Sequence, residues 1–156
     1  MLEIKIPGGE EFRLENLVMD FNGTMAIDGI LLPGVKRRLD TLAKDLKLHV
    51  ITADTFGRVK GALKDTPCHI TILPEGDQDT AKLEFVKSLG ADHVVAFGNG
   101  RNDALMLEAA ALGVAVLMNE GIARETLFAA NIVVPNIIDA LDLLLNPLRL
   151  KATLRR

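Results

Sequence analysis

The strongest constraint on the fold of this chain is a set of short runs that are apolar from end to end. Leu17-Val18-Met19, Val94-Val95-Ala96-Phe97, Val114-Ala115-Val116-Leu117 and Ile132-Val133-Val134 carry no polar residue, and Leu48-His49-Val50-Ile51 carries only His49. A strand that is wet on one face alternates apolar and polar residues, so a strand apolar throughout needs cover on both faces. Segments of helical spacing separate these runs. Strands alternating with helices build a parallel sheet between two helical layers. The expected class is α/β: a Rossmann-like three-layer fold with a mainly parallel sheet, as one domain over residues 1–156. A chain of 156 residues is long enough to bury a sizeable core.

Taken in order, Leu2–Ile6 and Phe12–Leu14 alternate around the turn Pro7-Gly8-Gly9-Glu10, which predicts an N-terminal hairpin at a sheet edge. The strand Leu17–Met19 stops at Asp20. Met25 to Leu32 reads as a small flap folded at Asp28-Gly29, a tight-hairpin dipeptide. Val35, Leu39, Leu42, Ala43 and Leu46 recur at helical spacing. After the strand ending at Thr52, a short helix is predicted to carry Phe56, Val59 and Leu63, followed by a strand Ile70–Leu73. Helices are predicted at Asp79–Leu89, at Ala104–Leu112 with Gly113 as its stop, around Ala123–Phe128, and at Ile137–Leu145 before Pro147.

Bulk properties exclude several classes. The net charge of −3 gives no nucleic-acid signature, and Trp and Tyr, which stack on bases, are absent. The basic tail Arg149, Lys151, Arg155 and Arg156 reads as a solvated, frayed terminus. Cys68 is the only cysteine, which rules out a disulfide framework and a cysteine metal site and fits a reducing cytoplasm. No run approaches the ~20 apolar residues of a membrane helix. The charged N-terminus, with Glu3, Lys5, Glu10 and Glu11, does not read as a signal peptide.

The functional signal is convergence. Asp20, Thr52 and the Asn99/Asp103 pair each lie just beyond a core strand. In a parallel sheet those strand ends share one edge, where ligands bind. Each residue also has a purely structural reading. Thr52 can cap the following turn, Lys82 can be one of several solvated helix lysines, and Asn102-Asp103 can cap a helix. His49, His69 and His93 are scattered along strand segments and read as structural.

Four segments, in this order, resemble the motifs of the haloacid dehalogenase (HAD) superfamily. Asp20-Phe21-Asn22-Gly23-Thr24 resembles its first motif, Asp-x-Asp-Gly-Thr; Val50-Ile51-Thr52 resembles the second; Lys82 stands where the third-motif lysine is found. Gly98-Asn99-Gly100-Arg101-Asn102-Asp103-Ala104 resembles the fourth motif of P-type ATPase catalytic domains, and the chain is similar to small proteins of that type without membrane segments.

The resemblance implies a phosphohydrolase or phosphotransferase that acts on a phosphorylated small molecule or macromolecule. It implies an aspartyl-phosphate on Asp20, and Mg²⁺ held by an Asp20 oxygen, the backbone carbonyl of Asn22 and the side chains of Asn99 and Asp103. Thr24, Thr52 and Lys82 would contact the phosphoryl group, with Lys82 also keeping Asp20 ionised.

Two positions depart from the family pattern. Asn22 replaces an acid–base Asp and has no titrating proton, so simple phosphomonoesters should be poor substrates. Asn99 replaces a metal-ligating Asp, which lowers affinity for a hard cation. A non-catalytic module binding a phosphorylated ligand or protein partner is the alternative. Both amides precede Gly, a context prone to deamidation. The motif intervals are filled by the predicted elements and leave no room for a cap domain. An open site of this kind implies a macromolecular substrate or a neighbouring subunit as lid, and the apolar flap would then mediate a homo-oligomer.

Overall fold

The computed structural model describes residues 1–54 and 57–156. Phe56, assigned above to a short helix, lies outside the described residues. Ten strands and seven α-helices are present among them. A hairpin of β1 (Leu2–Lys5) and β2 (Glu11–Leu14) opens the chain as a separate two-stranded antiparallel sheet. The central strand β3 (Asn16–Met19) leads into the flap, β4 (Ala26–Ile27) and β5 (Ile30–Leu31). Then follow α1 (Val35–Leu42), β6 (Lys47–Thr52), α2 (Val59–Ala62), β7 (Cys68–Ile72) and α3 (Gln78–Ser88). The second half is β8 (Val94–Gly98), α4 (Ala104–Ala109), β9 (Leu112–Val116), α5 (Arg124–Ala129), β10 (Ile132–Val134), α6 (Ile137–Leu145) and α7 (Pro147–Leu154).

Six strands form one parallel sheet in the order β10-β9-β8-β3-β6-β7. The two sides of each strand feed two cores, as the apolar runs require. Leu17, Met19, Leu48, Val50, Val95 and Phe97 pack with α1 and α6 on one face. Val18, Ile51, Val94, Ala96 and Ala115 pack with Val86 of α3 and Met106 and Leu107 of α4 on the other. Between β3 and β6 the described chain holds only the flap and α1, with no cap domain.

Several local expectations change. Helix α4 ends at Ala109, and Leu112 and Gly113 belong to β9, opposite Val95 and Ala96. Gly113 is therefore no helix stop. A Cβ on it would lie 2.4 Å from the Leu107 carbonyl oxygen, so glycine is what lets α4 pass close over the sheet. The basic tail is not frayed. Pro147 ends α6 and starts α7, a helix position that needs no N–H, and Leu150 is buried. The N-terminal hairpin is not an edge of the main sheet but packs Ile4 and Phe12 onto the α1/α6 core.

The flap has the expected tight turn, with Asp28 and Gly29 both at positive φ. Its apolar side chains, however, serve this chain's own core. Met25 and Ala26 are wholly buried, and Ile27, Leu31 and Leu32 pack against the same cluster. Ile30 alone in the flap is a strongly exposed apolar residue. An apolar surplus thus gives no argument for a subunit contact there.

Candidate active site

The carboxyl ends of β3, β6 and β8 bring the expected residues to one edge. Asp20 follows β3, and its N–H donates to the Phe97 carbonyl of β8 at 3.0 Å. Thr52 is the last residue of β6, and Asn99 follows β8. A cavity of about 240 Å³ opens there, lined by Asp20, Asn22, Thr52, Ala53, Gln78, Asn99, Gly100, Asn102 and Glu120. A larger hollow of about 500 Å³ lies between the flap and α2. Arg58 is its only titratable lining group among the described residues, and it holds none of the motif residues.

Lys82 lies behind Asp20, wholly buried, on the inner face of α3 with Val86. Its ammonium donates to Asp20 Oδ1 at 2.8 Å and to Asp103 Oδ1 at 2.6 Å. Burial alone would lower the Lys82 pKa, but the two carboxylates override this and hold it well above the ordinary lysine value. Two acids share one base, so the cluster keeps a net negative charge. Burial, reinforced by the Asp103 charge and opposed by Lys82, pushes the Asp20 carboxyl up to about 7.

Asp103 is saturated from within. Its Oδ1 faces Lys82, and its Oδ2 accepts the Asn99 and Gly100 N–H groups, each at 2.9 Å. A Cβ on Gly98 would sit 2.5 Å from the Asp103 Cβ, so glycine is required for this inward approach. Asp103, expected among the metal ligands, does not line the cavity, because its oxygens are already engaged by an ammonium and two amides. Lys82 and Thr24, expected against the phosphoryl group, do not line it either. Both are wholly buried.

Thr24 instead ties the first and fourth motifs together. Its hydroxyl is 3.1 Å from Asn99 Oδ1 and 3.4 Å from Asp20 Oδ2. A hydroxyl has one proton to donate, and the shorter contact goes to Asn99, which leaves Asp20 Oδ2 open. Thr52 realises its structural reading, accepting the Asp54 N–H at 3.0 Å, while also lining the cavity. Asn102 caps nothing. Its amide donates to Gln78 Oε1 at 2.9 Å, and the pair forms one wall.

Asn22 Oδ1 is buried and has no hydrogen-bond partner among the described residues. An orphaned buried acceptor is costly unless a ligand completes it. Asp20 Oδ2, Asn22 Oδ1 and Asn99 Oδ1 are oxygen donors of the kind a hard divalent cation takes. No cluster of three His, Cys, Asp or Glu is present among the described residues, so the donor set is one carboxylate with amides.

The histidines stand apart: His49 Nε2 pairs with Asn16 Oδ1 at 3.1 Å, and His93 Nδ1 with the Arg13 carbonyl at 2.9 Å. Gln78 and Glu120 had no motif to mark them. Glu120 reaches the site through tertiary contacts alone, its Oε1 accepting the Asp28 N–H of the flap at 2.9 Å. No helix among the described residues is long and apolar enough to cross a membrane.

Comparison with known proteins identifies the family and the fold. An uncharacterised protein of Methanocaldococcus jannaschii is 45% identical over 84 residues, covering 51% of this chain and 90% of its own. The 3-deoxy-D-manno-octulosonate 8-phosphate phosphatase of Moraxella catarrhalis, solved with magnesium, phosphate and its sugar acid, superposes with a TM-score of 0.71. It is 20% identical, with 85% of this chain and 86% of that one covered. The cobalt-bound phosphatase of Haemophilus influenzae gives a TM-score of 0.66 at 14% identity, with 92% and 94% covered. At these identities the two structures establish a common fold. The family of haloacid dehalogenase-like hydrolases matches residues 40–140, which include Thr52, Lys82, Asn99 and Asp103 and begin after Asp20. With more than half its length so matched, this chain belongs to the haloacid dehalogenase-like hydrolases.

Proposed function

We propose that the protein is a divalent-cation-dependent phosphohydrolase or phosphotransferase in which Asp20 is the nucleophile. The observation that carries this reading is the state of Asp20: it lines the cavity, with one oxygen fixed by buried Lys82 and the other in a long contact with Thr24. A carboxylate held this way is aimed, with Lys82 opposing the protonation that burial favours, and in its ionised form it can attack phosphorus to give an aspartyl-phosphate. Lys82 and Asp103 act as positioning residues behind it. Thr52 and the Gly100 side of the loop face the space a phosphoryl group would take.

The residues fit Mg²⁺, with Asp20, Asn22 and Asn99 as protein ligands. When bound, the cation supplies positive charge against the phosphoryl oxygens. The two solved phosphatases, one with magnesium and one with cobalt, support the assignment by analogy of fold. The cavity offers space for a phosphorylated small molecule, and no cap limits access for a larger one. Asn22 has no proton to give a leaving alcohol, so acyl phosphates are favoured over alkyl esters unless another residue supplies it.

The test is turnover of acetyl phosphate, p-nitrophenyl phosphate and glycerol phosphate with Mg²⁺, compared in wild type and Asp20→Asn. Turnover abolished by Asp20→Asn supports the reading. Turnover that survives it refutes the nucleophile. Phosphate binding without turnover in either protein favours the non-catalytic alternative that Asn22 and Asn99 motivate. Calorimetric titration of Mg²⁺ into wild type and Asn99→Asp checks the ligand set independently, with tighter binding expected in the variant.

A further inference from the structure

We infer that Glu120 is the proton-transfer residue of this site, supplying what Asn22 lacks; the inference rests on Asp20 as nucleophile. Among the described residues that line the cavity, Asp20 and Glu120 are the only titratable ones. Asp103 and Lys82 are turned inward and bound to each other, and none of the three histidines lines the space. If Asp20 attacks phosphorus, Glu120 is the one titratable group left among the described lining residues that can carry a proton.

Its placement is built. The loop after β9 docks on the fourth motif: Asn99 Nδ2 donates to the Gly121 carbonyl at 3.1 Å, and the Ala123 N–H donates to the Asn99 carbonyl at 2.8 Å. Asn99 in turn accepts the Thr24 hydroxyl at 3.1 Å, which lies 3.4 Å from Asp20 Oδ2. On its other side, Glu120 Oε1 accepts the Asp28 N–H of the flap. That bond engages one carboxylate oxygen and leaves Oε2 for a substrate or water. The flap and the fourth motif thus hold Glu120 at the cavity from opposite sides.

The chemistry balances with this one group. As Asp20 attacks, the P–O bond to the leaving group breaks, and protonated Glu120 gives its proton to the departing alkoxide. Glu120 is then a carboxylate. It takes a proton from the water that attacks the aspartyl-phosphate, the P–O bond to Asp20 breaks with its electron pair returning to the Asp20 carboxylate, and inorganic phosphate leaves. Glu120 is protonated again for the next ester.

The experiment measures kcat, KM and their pH dependence for glycerol phosphate with Mg²⁺ in wild type, Asp20→Asn, Glu120→Gln and the double variant Glu120→Gln/Asn22→Asp. Glutamine keeps the acceptor for the Asp28 N–H, so the flap contact survives and the melting temperature stays unchanged. Glu120→Gln is expected to lower kcat by about 10²–10⁴ and to remove one limb of the pH profile. Asn22→Asp in that background is expected to restore both. Loss of turnover in Asp20→Asn with Glu120→Gln at the wild-type rate overturns Glu120 and leaves Asp20 standing. A slower Glu120→Gln with an unchanged pH profile and no rescue means a structural role, and also overturns it. Turnover that survives Asp20→Asn, or none in wild type, fails the nucleophile first and the inference with it.

Discussion

Replacing Lys82 by Met removes the one cation from a buried cluster and leaves Asp20 and Asp103 facing each other. Lys82 is wholly buried and bonded to both. Removing one partner of a buried ion pair costs about 3–5 kcal/mol. For a chain of this length each kcal/mol moves the melting temperature by roughly 2–4 °C, so a drop on the order of 6–20 °C follows at pH 8. The pH dependence is the sharper signature. The parent already has one carboxyl raised by burial, Asp20 at about 7. A carboxyl raised in the folded state keeps its proton where the unfolded chain has lost it, so stability falls as pH climbs from about 4 through the folded value. In Lys82→Met the Asp20 carboxyl also loses the ammonium that opposes its rise while the Asp103 charge remains, so stability falls over a wider pH range, with a slope of up to about 1.4 kcal/mol per pH unit. Thermal melts of both proteins from pH 5 to 8 should show a gap that is small at pH 5 and widens steadily. The second change in Lys82→Met/Asp103→Asn should close most of it. A gap independent of pH, or under about 2 °C at pH 8, would refute the picture of two buried carboxyls held together by one ammonium.

Other outcomes follow from geometry elsewhere. Gly113→Ala should destabilise by about 1–3 kcal/mol in urea unfolding, because its Cβ meets the Leu107 carbonyl, a backbone atom that cannot step aside. Arg38 grips Asp142 with two bonds of 2.7 and 3.1 Å, joining α1 to α6. Its hydrogen bonds hold the Asp142 carboxyl below the ordinary value, so that stability is present above about pH 4 and lost as pH falls through the folded pKa. Melts between about pH 5 and pH 3 should therefore fall more steeply in the parent than in Asp142→Asn. Deamidation at Asn22 and Asn99 needs the next N–H as nucleophile, and both are engaged: Gly23 with the Ala26 carbonyl at 2.7 Å and Gly100 with Asp103 at 2.9 Å. Peptide mass spectrometry of aged protein should find both amides intact.

The sheet and the meeting of its strand ends were legible because they depend on pattern. Apolar runs report burial of both faces, and a parallel sheet puts Asp20, Thr52 and Asn99 on one edge whatever the loops do. Side-chain direction was less legible. The burial of Lys82 is compensated by carboxylates 62 and 21 residues away, so its own helix shows no sign of it. The saturation of Asp103 depends on where two loop amides point, which no residue type encodes. Thr24 reads as a phosphate contact in its motif but turns inward to Asn99. The apolar flap looked like a contact surface because the count of Met25, Ala26 and Leu31 cannot say which core they enter. Glu120 comes to the cavity by docking of one loop on another.

The place of β3 in the sheet has a consequence for how the molecule is made. Asn16 pairs with Lys47 on one side and with Val94 on the other. A nascent chain emerging from the ribosome can complete the first ladder early, but the second waits until more than half of the polypeptide has been synthesised. Long-range pairings of this kind slow folding, and until then the β8-facing edge of β3 stays unpaired, a seam open to misassociation. Closing that seam is the event that brings Asp20 beside Asn99, so the site cannot assemble before the β3–β8 ladder has formed.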